Sequence, residues 1–265
     1  MLRGLCTGCP RRWWAGRSGA TFGGMDLGIA GKRAAVAAAS SGLGLESARA
    51  LAAEGVLVAM CGRDAERIEA AAADVGHGAI PLVADVSTAD GATGFIEAAT
   101  AALGGIDILV TNAGGPPAGN FESTPLDSYQ GALDLNLLSV VAMCSAAVPA
   151  MREQRWGRVV AITSVSVRQP IANLILSNTA RAGATGFLKT LAREVFADGV
   201  TVNSAQPGLH ATERLKSLYG DDAPLGTVGD PADFGQIVAF LCSQQARFAT
   251  GVGFHVDGAT YAGLL

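Results

Sequence analysis

The sequence contains no uninterrupted apolar run of the about 18–20 residues that a bilayer-spanning helix needs, which argues against a membrane anchor. Charge is scarce, at 16% of residues, and no acidic or basic tract is long enough to keep a segment unfolded. The formal net charge of −4 argues against nucleic acid as the main partner, because phosphate binding needs a positive surface. Cysteine is sparse and odd in number: 5 scattered residues form no disulfide framework and suit a reducing, cytoplasmic compartment. Cys6-x-x-Cys9 matches half of a zinc site, but no second Cys or His pair follows at ligand spacing, so no metal is expected. No internal repeat is visible. What is there is a chain of 49% hydrophobic residues, long enough to bury the core of one large α/β domain.

Residues 1–24 stand apart from that domain. They carry Arg3, Arg11, Arg12 and Arg17, no acidic residue and two adjacent tryptophans, without helical periodicity. The segment reads as a disordered extension ahead of Met25, with an Arg-rich targeting peptide as the other reading. From 25 to 265 strand and helix patterns alternate. That predicts a single doubly wound, Rossmann-type parallel sheet of about seven strands, with helices on both faces. The strands are expected at 33–38, 57–61, 79–84, 108–112, 157–163, 200–205 and 253–256. The helices are expected near 43–54, 65–75, 89–103, 127–152, 177–196 and 231–242. Asp64 and Ser87 stand where N-caps belong, and Pro231 suits a first helical turn. Two long loops, 114–125 and 208–229, follow strand C-termini, where open α/β sheets bind ligands.

The most informative stretch is Val36-Ala37-Ala38-Ala39-Ser40-Ser41-Gly42-Leu43-Gly44. A short apolar strand runs into a small-residue turn, and a helix with apolar residues at helical spacing leaves it. Glycines there let backbone N–H groups approach a ligand, and the positive end of the helix points at the same spot. Both suit a phosphate. Three further features follow in chain order. Arg63 is the first charged residue after the second strand, where NAD-selecting folds place a carboxylate, so it points to the 2′-phosphate of NADP, with NAD as the lesser alternative. Asp85, in Asp85-Val86, is placed to accept from an adenine amino group or to cap the next helix. Asn112-Ala113-Gly114 ends the fourth strand with residues small enough for a ligand to lie on bare backbone.

Taken together, Ser40-Ser41-Gly42-Leu43-Gly44, Asp85-Val86, Asn112-Ala113-Gly114, Leu135-Asn136, Ile162-Thr163-Ser164, Gln206-Pro207-Gly208, Gly229-Asp230-Pro231 and Val256-Asp257-Gly258 resemble the short-chain dehydrogenase/reductase family. Among its members the general pattern is similar to 3-oxoacyl-thioester reductases. The resemblance implies a nicotinamide cofactor, a small-molecule carbonyl substrate, Ser164 as the catalytic serine, Asn136 as the asparagine of a proton relay, and Pro207-Gly208 beside the nicotinamide. It also implies subunit packing through the apolar helices at 133–151 and 182–196, hence a homotetramer or homodimer.

Two positions depart from the family pattern. Ala37-Ala38 stands for the usual Thr-Gly, which loses a permissive backbone position and pushes a methyl group toward the diphosphate. Ser177 and Arg181 stand for the catalytic Tyr and Lys. A phenol with a pKa of about 10, lowered by a neighbouring ammonium, is the usual proton donor to the carbonyl oxygen. A serine hydroxyl is a far poorer acid, and losing a general acid costs on the order of 10²–10⁴ in rate. Arg181 keeps the charge, can hold ribose hydroxyls through its fork and stays protonated, so it stabilises developing negative charge. Three outcomes stay open: a reductase drawing its proton from His210, Tyr219 or water; a nucleotide-binding protein without catalysis; or a dehydratase or isomerase on the same scaffold. Asp257 reads as a turn residue.

Overall fold

Short apolar segments at the expected places pair into one sheet in the computed structural model, which describes residues 25–220 and 228–264. The expectations for 1–24, Cys6-x-x-Cys9 among them, lie outside the described residues. The strands are β1 (Arg33–Val36), β2 (Leu57–Gly62), β3 (Ile80–Val83), β4 (Ile108–Thr111), β5 (Gly157–Ile162), β6 (Val200–Pro207) and β7 (Gly253–Val256). Their order is β3-β2-β1-β4-β5-β6-β7 and every pair is parallel. Parallel neighbours require crossovers, and helices supply them. These are α1 (Gly42–Ala53), α2 (Ala65–Val75), α3 (Ala89–Leu103), α4 (Ser128–Leu133), α5 (Ser139–Glu153), α6 (Ile175–Val195), α7 (Glu213–Tyr219) and α8 (Pro231–Leu241).

Strand alternation splits the interior into two cores. Ala34 and Val36 of β1 face the layer holding Leu51 of α1, Ile68 of α2 and Phe234 of α8. Ala35 faces the other layer, with Phe95 of α3, Met143 of α5 and Leu188 of α6. The chain order reverses between β1 and β4, which pair directly, and beyond their C-terminal ends lies the crevice of a doubly wound sheet.

Several boundaries differ from the sequence expectation, each for a local reason. Thr88, not Ser87, caps α3: its Oγ1 accepts from the Gly91 amide at 3.1 Å. The Ser87 amide is taken by Asp85 Oδ1 at 3.0 Å, so Asp85 closes a turn of its own and does not cap the helix. The stretch 208–229 is not wholly a loop, because Thr212 caps the short helix α7. The helix expected at 127–152 is interrupted by a π turn, Asp134–Leu138. Helix α6 begins at Ile175, ahead of Ser177, where the Asn178 side-chain Nδ2 donates back to the Ile171 carbonyl at 2.9 Å. The stretch Ser128–Glu153, with mean hydropathy 1.7, is long and apolar enough by length and composition to cross a membrane, although charged and polar residues interrupt it. In the fold its Met143, Cys144, Ala147 and Met151 are buried in the core, and α5 packs on α3.

Candidate active site

The turn between β1 and α1 is strained and open at once. Ala38 adopts φ +46°, a left-handed conformation that costs an L-residue about 1–2 kcal/mol. Its carbonyl is held by the Asn112 side chain at 3.1 Å, tying the turn to the end of β4. A Cβ on Gly44 would sit 2.6 Å from the Ala38 oxygen and 2.7 Å from Asn112 Nδ2, so this glycine lets α1 close against the turn from behind. Ser41 is the N-cap of α1, yet its side chain makes no capping hydrogen bond, and no acidic residue occupies the first turn. Helices α2, α3 and α8 are each capped, by Asp64, Thr88 and Asp230. The start of α1 thus keeps orphan amides and an uncompensated positive end for a bound anion.

A cleft of about 860 Å³ crosses this switch point, within the range of ligand sites. Ser40, Ser41, Gly42 and Leu43 form its edge at α1. Arg63 lies beyond β2, with Asp85 and Val86 beyond β3. Asn112, Ala113 and Gly114 form the floor, and Ser164, Ser177 and Arg181 face them with Pro207 and Gly208. The structure therefore gathers the sequence candidates into one cavity, apart from two. Gly44 sits behind the turn, and Asn136 is buried behind the floor, its Nδ2 donating to the Gly114 carbonyl at 3.0 Å from within the π turn. The Ser87 backbone amide, opposed by burial and assisted by the Ser87 hydroxyl and Arg63, holds the Asp85 carboxyl below its usual range.

At the other end, Ser164 Oγ accepts from the Ser166 amide at 3.1 Å. The buried Ser177 hydroxyl has no partner among the described residues. Arg181, one helical turn further along α6, is 9% exposed. Its Nη1 donates to the Ile162 and Thr163 carbonyls at 3.0 and 3.2 Å, so one arm of the fork expected to hold ribose is spent on the end of β5. Burial, and then the charge of Arg214, bring its pKa down to about 10, which leaves it cationic at neutral pH. His210 is a weak proton donor by position: Nδ1 faces the Gly208 carbonyl at 3.3 Å and the ring packs edge-on against Phe234. Burial lowers its pKa. Tyr219, at the end of α7, does line the cleft.

The lining residues that sequence reasoning missed include Arg214 and Tyr261. Arg214 lies on α7, where a loop was expected, and donates to the Pro116 carbonyl at 2.8 Å. Tyr261 is carried to the cleft by the turn that Asp257 builds, whose carboxylate accepts from the Ala259 and Tyr261 amides at 3.0 and 2.8 Å. Asp257 is thus the turn residue expected, and that turn was the available signal for Tyr261.

A family model described as enoyl-(acyl carrier protein) reductase matches residues 37–259. The chain belongs to the short-chain dehydrogenase/reductase family. It is 31% identical to the 3-oxoacyl-[acyl-carrier-protein] reductase of Vibrio cholerae over 242 residues, covering 89% of this chain and 99% of that protein. Dehydrogenase/reductase SDR family member 4 of Oryctolagus cuniculus is 32% identical over 243 residues, covering 87% of this chain and 94% of that one. Among solved structures, the L-sorbose reductase of Gluconobacter frateurii, complexed with NADPH and L-sorbose, matches with a TM-score of 0.83 and 29% identity. That match covers 91% of this chain and 100% of the other. This short-chain oxidoreductase has Ser177 and Arg181 one helical turn apart on α6.

Proposed function

We propose that the chain is an NADP(H)-dependent oxidoreductase interconverting a carbonyl compound and its alcohol, with residues 25–265 as one domain. The observation that carries the reading is the entry to α1, where uncapped amides and Gly42, in a left-handed conformation, meet the cleft. Those groups fit a dinucleotide: the amides at 41–43 and the Ser40 and Ser41 hydroxyls would hold its diphosphate. Asp85 and Val86 would flank the adenine, and Asn112, Ala113, Gly114, Pro207 and Gly208 would contact the ribose and nicotinamide half. Arg63, exposed at the rim, favours NADP over NAD. The printed ligand of the sorbose reductase, NADPH, agrees with this preference.

When bound, the cofactor supplies or accepts a hydride. Ser164 and Ser177 orient the carbonyl oxygen, and Arg181 stabilises the negative charge that develops there. Asn136 acts from behind by fixing the Gly114 carbonyl. With serine at 177, the proton comes from water or from a phenol in the cleft, and Tyr219 and Tyr261 are the phenols there. A cytoplasmic location is supported by Cys61, Cys144 and Cys242, all buried and free. A nucleotide-binding protein without turnover is the second reading, favoured by Ser177 in place of the family's phenol.

The test is NADPH consumption over ketones, quinones and acyl thioesters, run beside fluorescence titration of both nucleotides. We expect turnover of at least one carbonyl class and NADPH binding about tenfold tighter than NADH. Arg63→Ala should abolish that preference, and an unchanged preference refutes the NADP assignment. Tight binding without turnover selects the second reading. Failure of both nucleotides to bind at millimolar concentration refutes both.

A further inference from the structure

Four guanidinium groups line the cleft outside any ion pair among the described residues: Arg63 and Arg67 beyond β2, and Arg181 and Arg214, which lie close enough for the charge of Arg214 to be felt at Arg181. Ion pairs among the described residues engage Arg33, Arg49, Arg152, Arg155 and Lys216, and neither Arg181 nor Arg214 is among them. Arg181 enters from α6 and Arg214 from α7, and both line the same cavity. Each spends one nitrogen on backbone: Arg181 Nη1 on the Ile162 and Thr163 carbonyls, and Arg214 Nη2 on the Pro116 carbonyl. Their other donors have no partner among the described residues. The two carboxylates that share the cavity are engaged, Asp85 by the Ser87 amide and Glu213 by Lys216 at 3.1 Å. Arg181, 9% exposed, is a buried cation with no acidic partner, which is costly unless something negative joins it, whereas Arg214 is exposed at the mouth of the cleft and free to complete a site for an anion.

We propose that Arg181 and Arg214 form an anion subsite at the Ser164–Ser177 end of the cleft, and that the substrate is a carbonyl compound bearing a carboxylate. The inference rests on the oxidoreductase reading for the carbonyl, and on the arginine pair for the acid. An oxyanion is the ligand chemistry, and the cofactor's phosphates are its other source. The uncapped start of α1 and Arg63 already serve those phosphates, which leaves this pair for the substrate. A guanidinium fork matches a carboxylate in two parallel hydrogen bonds, so an acid is favoured over its ester.

The test uses the full chain saturated with NADP⁺, so that ketones bind without reacting. Acetoacetate, 2-oxobutyrate and levulinate are titrated by calorimetry against their methyl esters. We expect at least one acid to bind about tenfold tighter than its ester, a preference that falls to about twofold in Arg214→Gln and largely returns in Arg214→Lys. The affinity for NADP⁺ should change less than about threefold in Arg214→Gln. Equal binding of acids and esters, or no binding of any acid at about 10 mM, overturns the proposal. So does a large loss of NADP⁺ affinity with the acid preference intact, which assigns the pair to the cofactor. If Arg214→Gln does not fold, the wild-type acid preference must shrink as potassium chloride is raised while ester binding holds, and a salt-independent preference overturns the proposal. Charge-dependent binding without any NADPH consumption would refute the oxidoreductase reading and leave the subsite standing. Turnover of acids and esters alike would do the reverse.

Discussion

In the proposed reading Arg181 replaces the family's lysine, and such an exchange alters more than the shape of a cation. A lysine amine can lose its proton and regain it through a relay, whereas this guanidinium stays charged with its pKa at about 10. Asn136, with Nδ2 on the Gly114 carbonyl, then reads as a positioning residue beside the π turn. If the cleft is otherwise a reductase site, restoring the phenol and the amine together should restore acid catalysis. We expect Ser177→Tyr with Arg181→Lys to raise ketone reduction by about 10²-fold, measured as kcat/KM at pH 7. A folded double variant with no gain favours the non-reductase readings. Ala38 makes a second, independent prediction. Its φ of +46° is strained for alanine and free for glycine. Ala38→Gly should raise stability by about 0.5–1 kcal/mol, after the entropic cost of glycine, and leave NADPH binding equal or tighter. A fall in the melting temperature would refute the strain argument.

Helix starts separate structure from function at the scale of elements. Asp64 Oδ1 accepts from the Arg67 amide at 2.9 Å, an ordinary cap for α2. Ser41 makes no such bond at α1. Asp64→Ala should therefore cost about 1 kcal/mol of stability without touching nucleotide affinity. Ser41→Ala should leave the melting temperature nearly unchanged and weaken NADPH binding. The reverse pattern, seen by thermal unfolding and fluorescence titration, would remove the basis for reading α1 as the diphosphate site. Element identity was largely legible in the chain because β1, α1 and β2 carry their apolar periodicity within a few residues. Helix α7 was not. Glu213–Tyr219 is short, charged and set in a loop-like context, so its helix depends on the Thr212 cap and on tertiary contacts. Thr212 also lies 3.5 Å from where a Cβ on Gly42 would be, so α7 settles over the glycine turn at the far side of the chain.

The whole molecule presents apolar surface at the end of α6. Phe196 and Phe248 stack edge to face with centroids 5.9 Å apart, and Phe248 is 87% exposed. Aromatic rings left together at a surface are typical of interfaces, and we propose that the homotetramer or homodimer expected from the family resemblance covers them. Light scattering at about 10 µM should give a dimer or tetramer, and Phe248→Ser should shift it toward smaller species. A monomer under those conditions refutes the assembly.

Local information was enough for the order of strands and helices, since each depends on neighbours within one strand–helix unit. The placement of Arg181 and Arg214 in one cavity, the position of Tyr261 and the strain at Ala38 arose only when parallel pairing brought distant strand ends to one edge. Crossover connections place residues far apart in sequence side by side, and no short-range pattern records which of them will share a cavity.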